Sequence, residues 1–226
     1  MSDFSTVSSL AVSLVNGFYR AVNTLTISRF NVSAHYDLSN QMFASFLSPD
    51  MTYSCPIWSQ DDQTIKDSAS LEQAQVHKLC KIISEARIKR TDHVLEIGTG
   101  WGSFAIEAVR QTGCYVTSVT LSVEQKKEAE TRISAAGLTG NIQVLLQDYR
   151  EIPPVDGGYD KVVSIEMLEH VGRENLETYF SCISNLLNDR HGIAVFQTST
   201  MPETVCIVLY VHDFLAEIVA ALRSLL

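Results

Sequence analysis

Two stretches of this sequence hold residues whose types and spacing could do chemistry. Residues 166–170, EMLEH, place two carboxylates and an imidazole within five positions. Such groups accept and deliver protons. They follow an apolar run at 161–165 that reads as a strand, so the chain would be entering a pocket there. Cys55 is the second candidate. It sits in Tyr53-Ser54-Cys55 just before Pro56, which holds it extended. By residue type alone it reads as a small buried hydrophobe.

What could position these groups begins at residues 94–102, VLEIGTGWG. Residues 94–97 read as a buried parallel strand and 103–111 as a helix with Phe104, Ile106, Ala108 and Val109 inward. Glycines between them let the backbone turn tightly and approach a ligand. The helix start leaves free N–H groups for a negative group. A dinucleotide fingerprint would place its third glycine at 103, which is Ser103. The glycines fall instead at alternate positions, Gly98, Gly100 and Gly102, two residues after Glu96. This spacing resembles motif I of the S-adenosylmethionine (SAM) methyltransferases. An ordinary glycine-rich turn with no ligand is the competing reading.

The remaining elements predict a doubly wound, mostly parallel α/β sheet. Strands are expected at 114–120, 142–146, 161–165 and 192–198. Ser70 and Gln73 predict a capping box for a helix to about residue 86, with Val76, Leu79, Cys80 and Ile83 inward. Ser122 and Gln125 predict another box, opening a helix that stops at Gly137. Ser39 caps a short helix carrying Met42, Phe43, Phe46 and Leu47. The organisation reads as a helical leader at 1–30, a helical cap at 31–90, a Rossmann-like domain at 91–204 and a tail at 205–226. In the leader, Val7, Leu10, Ala11, Leu14, Val15, Phe18 and Val22 share one helical face. That face packs on its own domain or touches a bilayer, although the opposite face lacks the lysines and arginines of an interfacial helix. The tail mixes β-like and helical signals.

The chain has 226 residues, 46% hydrophobic and 19% charged, enough for one sizeable core. A net charge of -9 argues against a nucleic-acid backbone as partner. Five cysteines form no CxxC pair and no metal-ligand spacing. They predict free thiols in a reducing, cytoplasmic setting, with no metal centre. No run is long enough to span a membrane, and no secretory leader is expected.

Four blocks, HYDLS with YSC, LEIGTGWG, TLSVEQ with LLQDYR, and SIEMLEHVG with FQTSTMPE, occur in order between residues 31 and 203. Together they resemble the cyclopropane fatty acid synthase and mycolic acid methyltransferase family. The resemblance implies a class I SAM methyltransferase fold and transfer of a methyl or methylene group to the double bond of a phospholipid acyl chain. It implies a SAM site at Tyr53, Ser54, Glu96, Gly98, Thr99, Gly100, Trp101, Gly102, Thr120, Leu121, Gln125, Gln147, Asp148 and Tyr149. Asp148 would accept from the adenine amine and Tyr149 would pack on the ring, Thr120 and Gln125 serving the ribose side. Relatives hold a bicarbonate ion as the base. The resemblance maps its supports onto Cys55, Glu169, His170 and Gln197, where many relatives have histidine in place of Gln197. Glu166 stands where relatives often have glycine, and no role is assigned to it. Relatives continue beyond residue 204, so the last strands of the sheet and a tyrosine of the site are expected to be missing and turnover weak. A small-molecule N-methyltransferase and a non-catalytic SAM-binding fragment remain as alternatives.

Overall fold

The computed structural model describes residues 40–58 and 70–200. The leader, residues 59–69 and the tail, with the expectations placed on them, lie outside the described residues, as do Ser39 and HYDLS.

Helices α1 (Asn40–Ala44) and α2 (Leu71–Glu85) precede the sheet. Then β1 (His93–Ile97), α3 (Ser103–Thr112), β2 (Tyr115–Thr120), α4 (Val123–Ala135), β3 (Ile142–Leu146), β4 (Lys161–Ile165), α5 (Leu168–Val171), α6 (Leu176–Leu186) and β5 (Ile193–Gln197) alternate. All four strand pairings are parallel, in the order β3-β2-β1-β4-β5. Parallel strands need crossovers, and the helices supply them on both faces. Alternate residues of one strand therefore feed two cores. Val94, Val116 and Val163 pack with α2, α3 and α4, while Leu95, Ile97 and Val162 pack with α6. Each such fully buried aliphatic side chain stabilises the fold by roughly 1.5–3 kcal/mol. The strand order reverses between β1 and β4, so their carboxyl ends, at Gly98 and Glu166, border the crevice where such sheets bind ligands.

The caps form largely as expected. Ser70 accepts from Gln73 N, and Gln73 Oε1 accepts from Ser70 N at 3.2 Å. Gln125 N donates to Ser122 Oγ, but Gln125 Oε1 accepts from Thr120 Oγ1 at 2.8 Å.

Other expectations need correction. Val76 is exposed and Cys80 only half-buried, while Gln75 and Lys78 are buried. The α2 face that carries them packs on residues 53–55, a contact no local periodicity encodes. α1 stops at Ala44, leaving Phe46 in the following turn and exposed. Cys55 is exposed too, because its loop lines a cavity. The four described cysteines are free thiols.

Candidate active site

A cavity of about 670 Å³ opens at the carboxyl ends of β1, β2 and β4. Its floor is the glycine turn. Gly98 has φ +101° and Gly102 +86°, left-handed conformations that side chains disfavour. A Cβ at Gly98 would lie 2.8 Å from Met167 Cγ and Sδ, so a side chain there would add a displaced Met167 to the backbone strain. Gly102 caps α3 without a side chain, leaving the helix N–H groups unscreened.

Below the floor lies a buried polar set. Ser118 Oγ contacts Glu96 Oε2 and lies 2.7 Å from Thr99 Oγ1. Burial pushes the Glu96 carboxyl up to about 8, with the Ser118 hydrogen bond opposing. One Ser118 proton cannot serve both neighbours. A second proton, on the Thr99 hydroxyl or on the raised Glu96 carboxyl, completes the set.

Thr120, Leu121, Gln125, Gln147 and Tyr149 continue the wall. Burial pushes the Tyr149 phenol up to about 12, and its hydroxyl has no hydrogen-bond partner. Gln75 Oε1, from α2, is a second buried polar atom left unpaired. Both residues line the cavity, so polar groups of a ligand would satisfy them. Gly102 and Asp148 do not line it. The Asp148 carboxylate is gripped by Arg150, Nε to Oδ1 at 2.7 Å and Nη2 to Oδ2 at 2.8 Å. Trp101 borders the cavity, but its indole N–H donates to Asn40 Oδ1 at 2.8 Å and its ring packs on Phe43. That contact docks α1 beside the floor. Arg132 of α4 secures the next loop, donating to Asp50 O at 2.7 Å and Pro49 O at 3.2 Å.

The opposite wall is assembled from four segments. The loop 53–55 is clamped by α2: Gln75 Nε2 donates to Ser54 O at 2.7 Å, and Lys78 Nζ donates to Ser54 Oγ. Lys78 is fully buried. Burial pulls its ammonium down to about 8, and the negative charge of Glu166 is the largest influence opposing that shift. Glu166 follows β4 with φ +51°, unusual for a residue with a side chain. This turn directs its carboxylate across the cavity edge. Glu166 Oε1 accepts from Cys55 N at 2.7 Å and from Gln197 Nε2 at 3.0 Å. Gln197 ends β5 in register with Ile165, which brings it beside Glu166. Its Oε1 is buried and unpartnered.

Glu169 stands behind this group. Its Oε1 accepts from Thr198 Oγ1 at 2.9 Å and from Ser199 N. Ser199 Oγ lies 3.8 Å from Cys55 Sγ, so the Cys55 and Glu169 segments meet through Ser199. His170 lines the cavity, whereas Glu169 and Gln197 do not. Sequence reasoning missed Lys78, Gln75 and any part for Glu166. A signal for Glu166 was present: an acid directly after a strand, where a turn favours glycine, paired with a glutamine at 197 in place of histidine.

The site fits one implied group and not the other. The glycine floor and the unpaired wall atoms suit a SAM molecule. Bicarbonate does not fit, because Cys55 N–H and the Gln197 amide already donate to the Glu166 carboxylate.

Comparisons with known proteins agree with this architecture. The model of the mycolic acid cyclopropane synthetase family matches residues 24–216. The chain is 42% identical over 176 residues to tuberculostearic acid methyltransferase UfaA1 of Mycobacterium tuberculosis, covering 77% of this chain and 40% of that protein. It is 38% identical over 164 residues to cyclopropane-fatty-acyl-phospholipid synthase of Escherichia coli K12, covering 73% of this chain and 39% of that protein. The chain thus spans about two fifths of the length of these relatives. Among solved structures, mycolic acid cyclopropane synthase CmaA1, complexed with SAH and CTAB, superposes with a TM-score of 0.65 at 29% identity, over 74% of this chain and 55% of that one. The cyclopropane synthase MmaA2 of Mycobacterium tuberculosis gives 0.70 at 26% identity, over 83% and 65%. The parallel sheet, the glycine turn at its switch point and the match over residues 24–216 make this chain a member of the mycolic acid cyclopropane synthetase family, with the fold of a class I SAM-dependent methyltransferase.

Proposed function

We propose that this chain is a SAM-dependent methyltransferase acting on the double bond of an unsaturated phospholipid acyl chain. One observation carries the reading. A single cavity joins the glycine floor to the Cys55–Glu166 wall, and apolar Phe46, Tyr53 and Leu71 line it while remaining substantially exposed. A polar floor for a charged nucleoside beside an apolar lining suits a small polar donor and a hydrocarbon acceptor.

The turn at Gly98–Gly102 and the pair Thr120–Gln125 would hold SAM, which when bound supplies a sulfonium methyl, a strong carbon electrophile. The residues present position and protect. Met167 walls the turn. The apolar lining gives the acyl chain a hydrocarbon surface to lie on. Tyr53, on the cavity wall, offers a π face to the cation left on the acyl chain when its double bond is methylated. Exposed Phe46, Tyr53 and Trp58 support peripheral contact with a bilayer surface. Among the described residues, no helix is long and apolar enough to cross a membrane.

The test has two steps. Calorimetric titration should detect SAM binding, and the absence of heat and of any thermal shift would end the reading. Incubation with labelled SAM and unsaturated phospholipid vesicles should add one methyl or methylene group to the acyl chains. Transfer to small amines but not to lipid would move the chain to N-methylation.

A further inference from the structure

We propose that the carboxylate of Glu166, built into the chain, takes the place of the family's bicarbonate and is the base that removes the proton after methyl transfer. The proposal rests on the acyl-chain reading above and deepens it. Three observations support it.

The first is occupancy. A carboxylate and a bicarbonate present similar acceptor oxygens to the same donors. The resemblance implied Cys55, Glu169, His170 and Gln197 as supports of the ion, and two of these four supply the donors. Here the Cys55 N–H and the Gln197 amide converge on one oxygen, Glu166 Oε1, at 2.7 and 3.0 Å. An added anion would have to displace that oxygen from both donors. The second is aim. Glu166 lines the cavity and holds φ +51°, a conformation that costs a side-chain-bearing residue free energy. Its N–H donates to Gln197 O at 2.7 Å, so the strained backbone is tied to β5. Strain held by its surroundings and directed at a cavity is a mark of function. The third is charge. Lys78, fully buried in α2 and held on Ser54, lies within the electrostatic reach of Glu166. It places a buried cation on the α2 side of the site.

The step balances without another reactant. The alkene π pair bonds to the sulfonium methyl carbon, and the S–CH₃ pair leaves with sulfur as a neutral thioether. The adjacent carbon becomes a cation. Glu166 takes a proton from the new methyl group, and the released C–H pair closes the three-membered ring. If the proton comes from the chain itself, the pair forms an alkene. Glu166, now neutral, loses its proton to water when product departs.

The experiment uses the 226-residue chain, its Glu166→Gly and Glu166→Gln variants, and buffer freed of carbon dioxide. Glycine accepts φ +51° without strain, so Glu166→Gly should fold, and calorimetric SAM binding within about threefold of the parent checks this. Label transfer to vesicle lipid by the parent should change by less than about twofold when bicarbonate is added. Both variants should lose roughly 100-fold in rate, and bicarbonate should restore Glu166→Gly by about tenfold or more. The second readout needs no turnover: the ¹³C resonance of labelled bicarbonate should broaden with Glu166→Gly and stay sharp with the parent. Broadening by the parent, bicarbonate dependence of its rate, or full activity in Glu166→Gln would overturn the proposal. If the parent transfers no label, the acyl-chain reading fails, and the ¹³C comparison still decides whether Glu166 fills the anion position.

Discussion

The two walls of the cavity are built in different ways. The cofactor floor is local: β1, the turn and the start of α3 run through residues 93–103, and β2 with Gln125 adds one neighbouring unit. The acceptor wall draws on residues 53–55, α2, the end of β4 and the end of β5, with contacts spanning 111 and 31 positions. A local floor tolerates little change, because its shape rests on backbone angles that favour glycine. A dispersed wall depends on side chains that hold other segments in place. Single substitutions should therefore strike the two walls differently.

The largest effect is expected at the floor. Gly98→Ala puts a Cβ against Met167 and forces φ +101° on alanine. Stability should fall by about 2 kcal/mol in urea titrations, and SAM binding should disappear from calorimetry. Unchanged affinity would mean that the turn does not meet the cofactor.

A smaller effect concerns the buried acid beneath the floor. The Glu96 carboxyl is raised above its unfolded value. Between about pH 4.5 and 8 the folded chain keeps a proton that the unfolded chain has released. Stability from this group is therefore present below that window and lost as pH rises through it. Glu96→Gln should flatten the decline, by at most about 1.4 kcal/mol per pH unit. Parallel stability profiles of the two proteins from pH 5 to 8 would show that Glu96 is ionised in the fold.

The smallest effect is expected where the family resemblance points most strongly. Cys55 touches Glu166 through its backbone N–H, while its thiol only approaches Ser199. Cys55→Ala keeps that donor, so lipid methylation should stay within about threefold of the parent. A loss of 100-fold would assign the thiol a direct role and blur the distinction between the two walls.

Legibility followed the same division. The floor could be read because spacing along one segment reports backbone conformation: alternate glycines after a buried strand make a turn wherever they occur. The Ser70–Gln73 box was legible for the same reason, its partners being three residues apart. The wall was not. Nothing in the helical period of α2 marks Lys78 and Gln75 as buried, because that period sorts side chains by polarity. Their burial comes from Ser54, 24 and 21 residues upstream. Asp148 looked free to meet a ligand, and Arg150, two residues on, had already claimed it.

Taken alone, the amino-acid order determined the α/β class, the succession of strands and helices, and the cofactor turn. Hydrophobic period, caps and glycine spacing act over a few residues and need no knowledge of what lies across the sheet. Only the folded chain decided that Glu166 faces Cys55 and Gln197 and that a lysine is buried behind them. Those contacts exist because the strand order brings β4 between β1 and β5, and because α2 closes over a loop far from it in sequence. A carboxylate's chemistry depends on its donors and counter-charge, and both arrive here from distant segments.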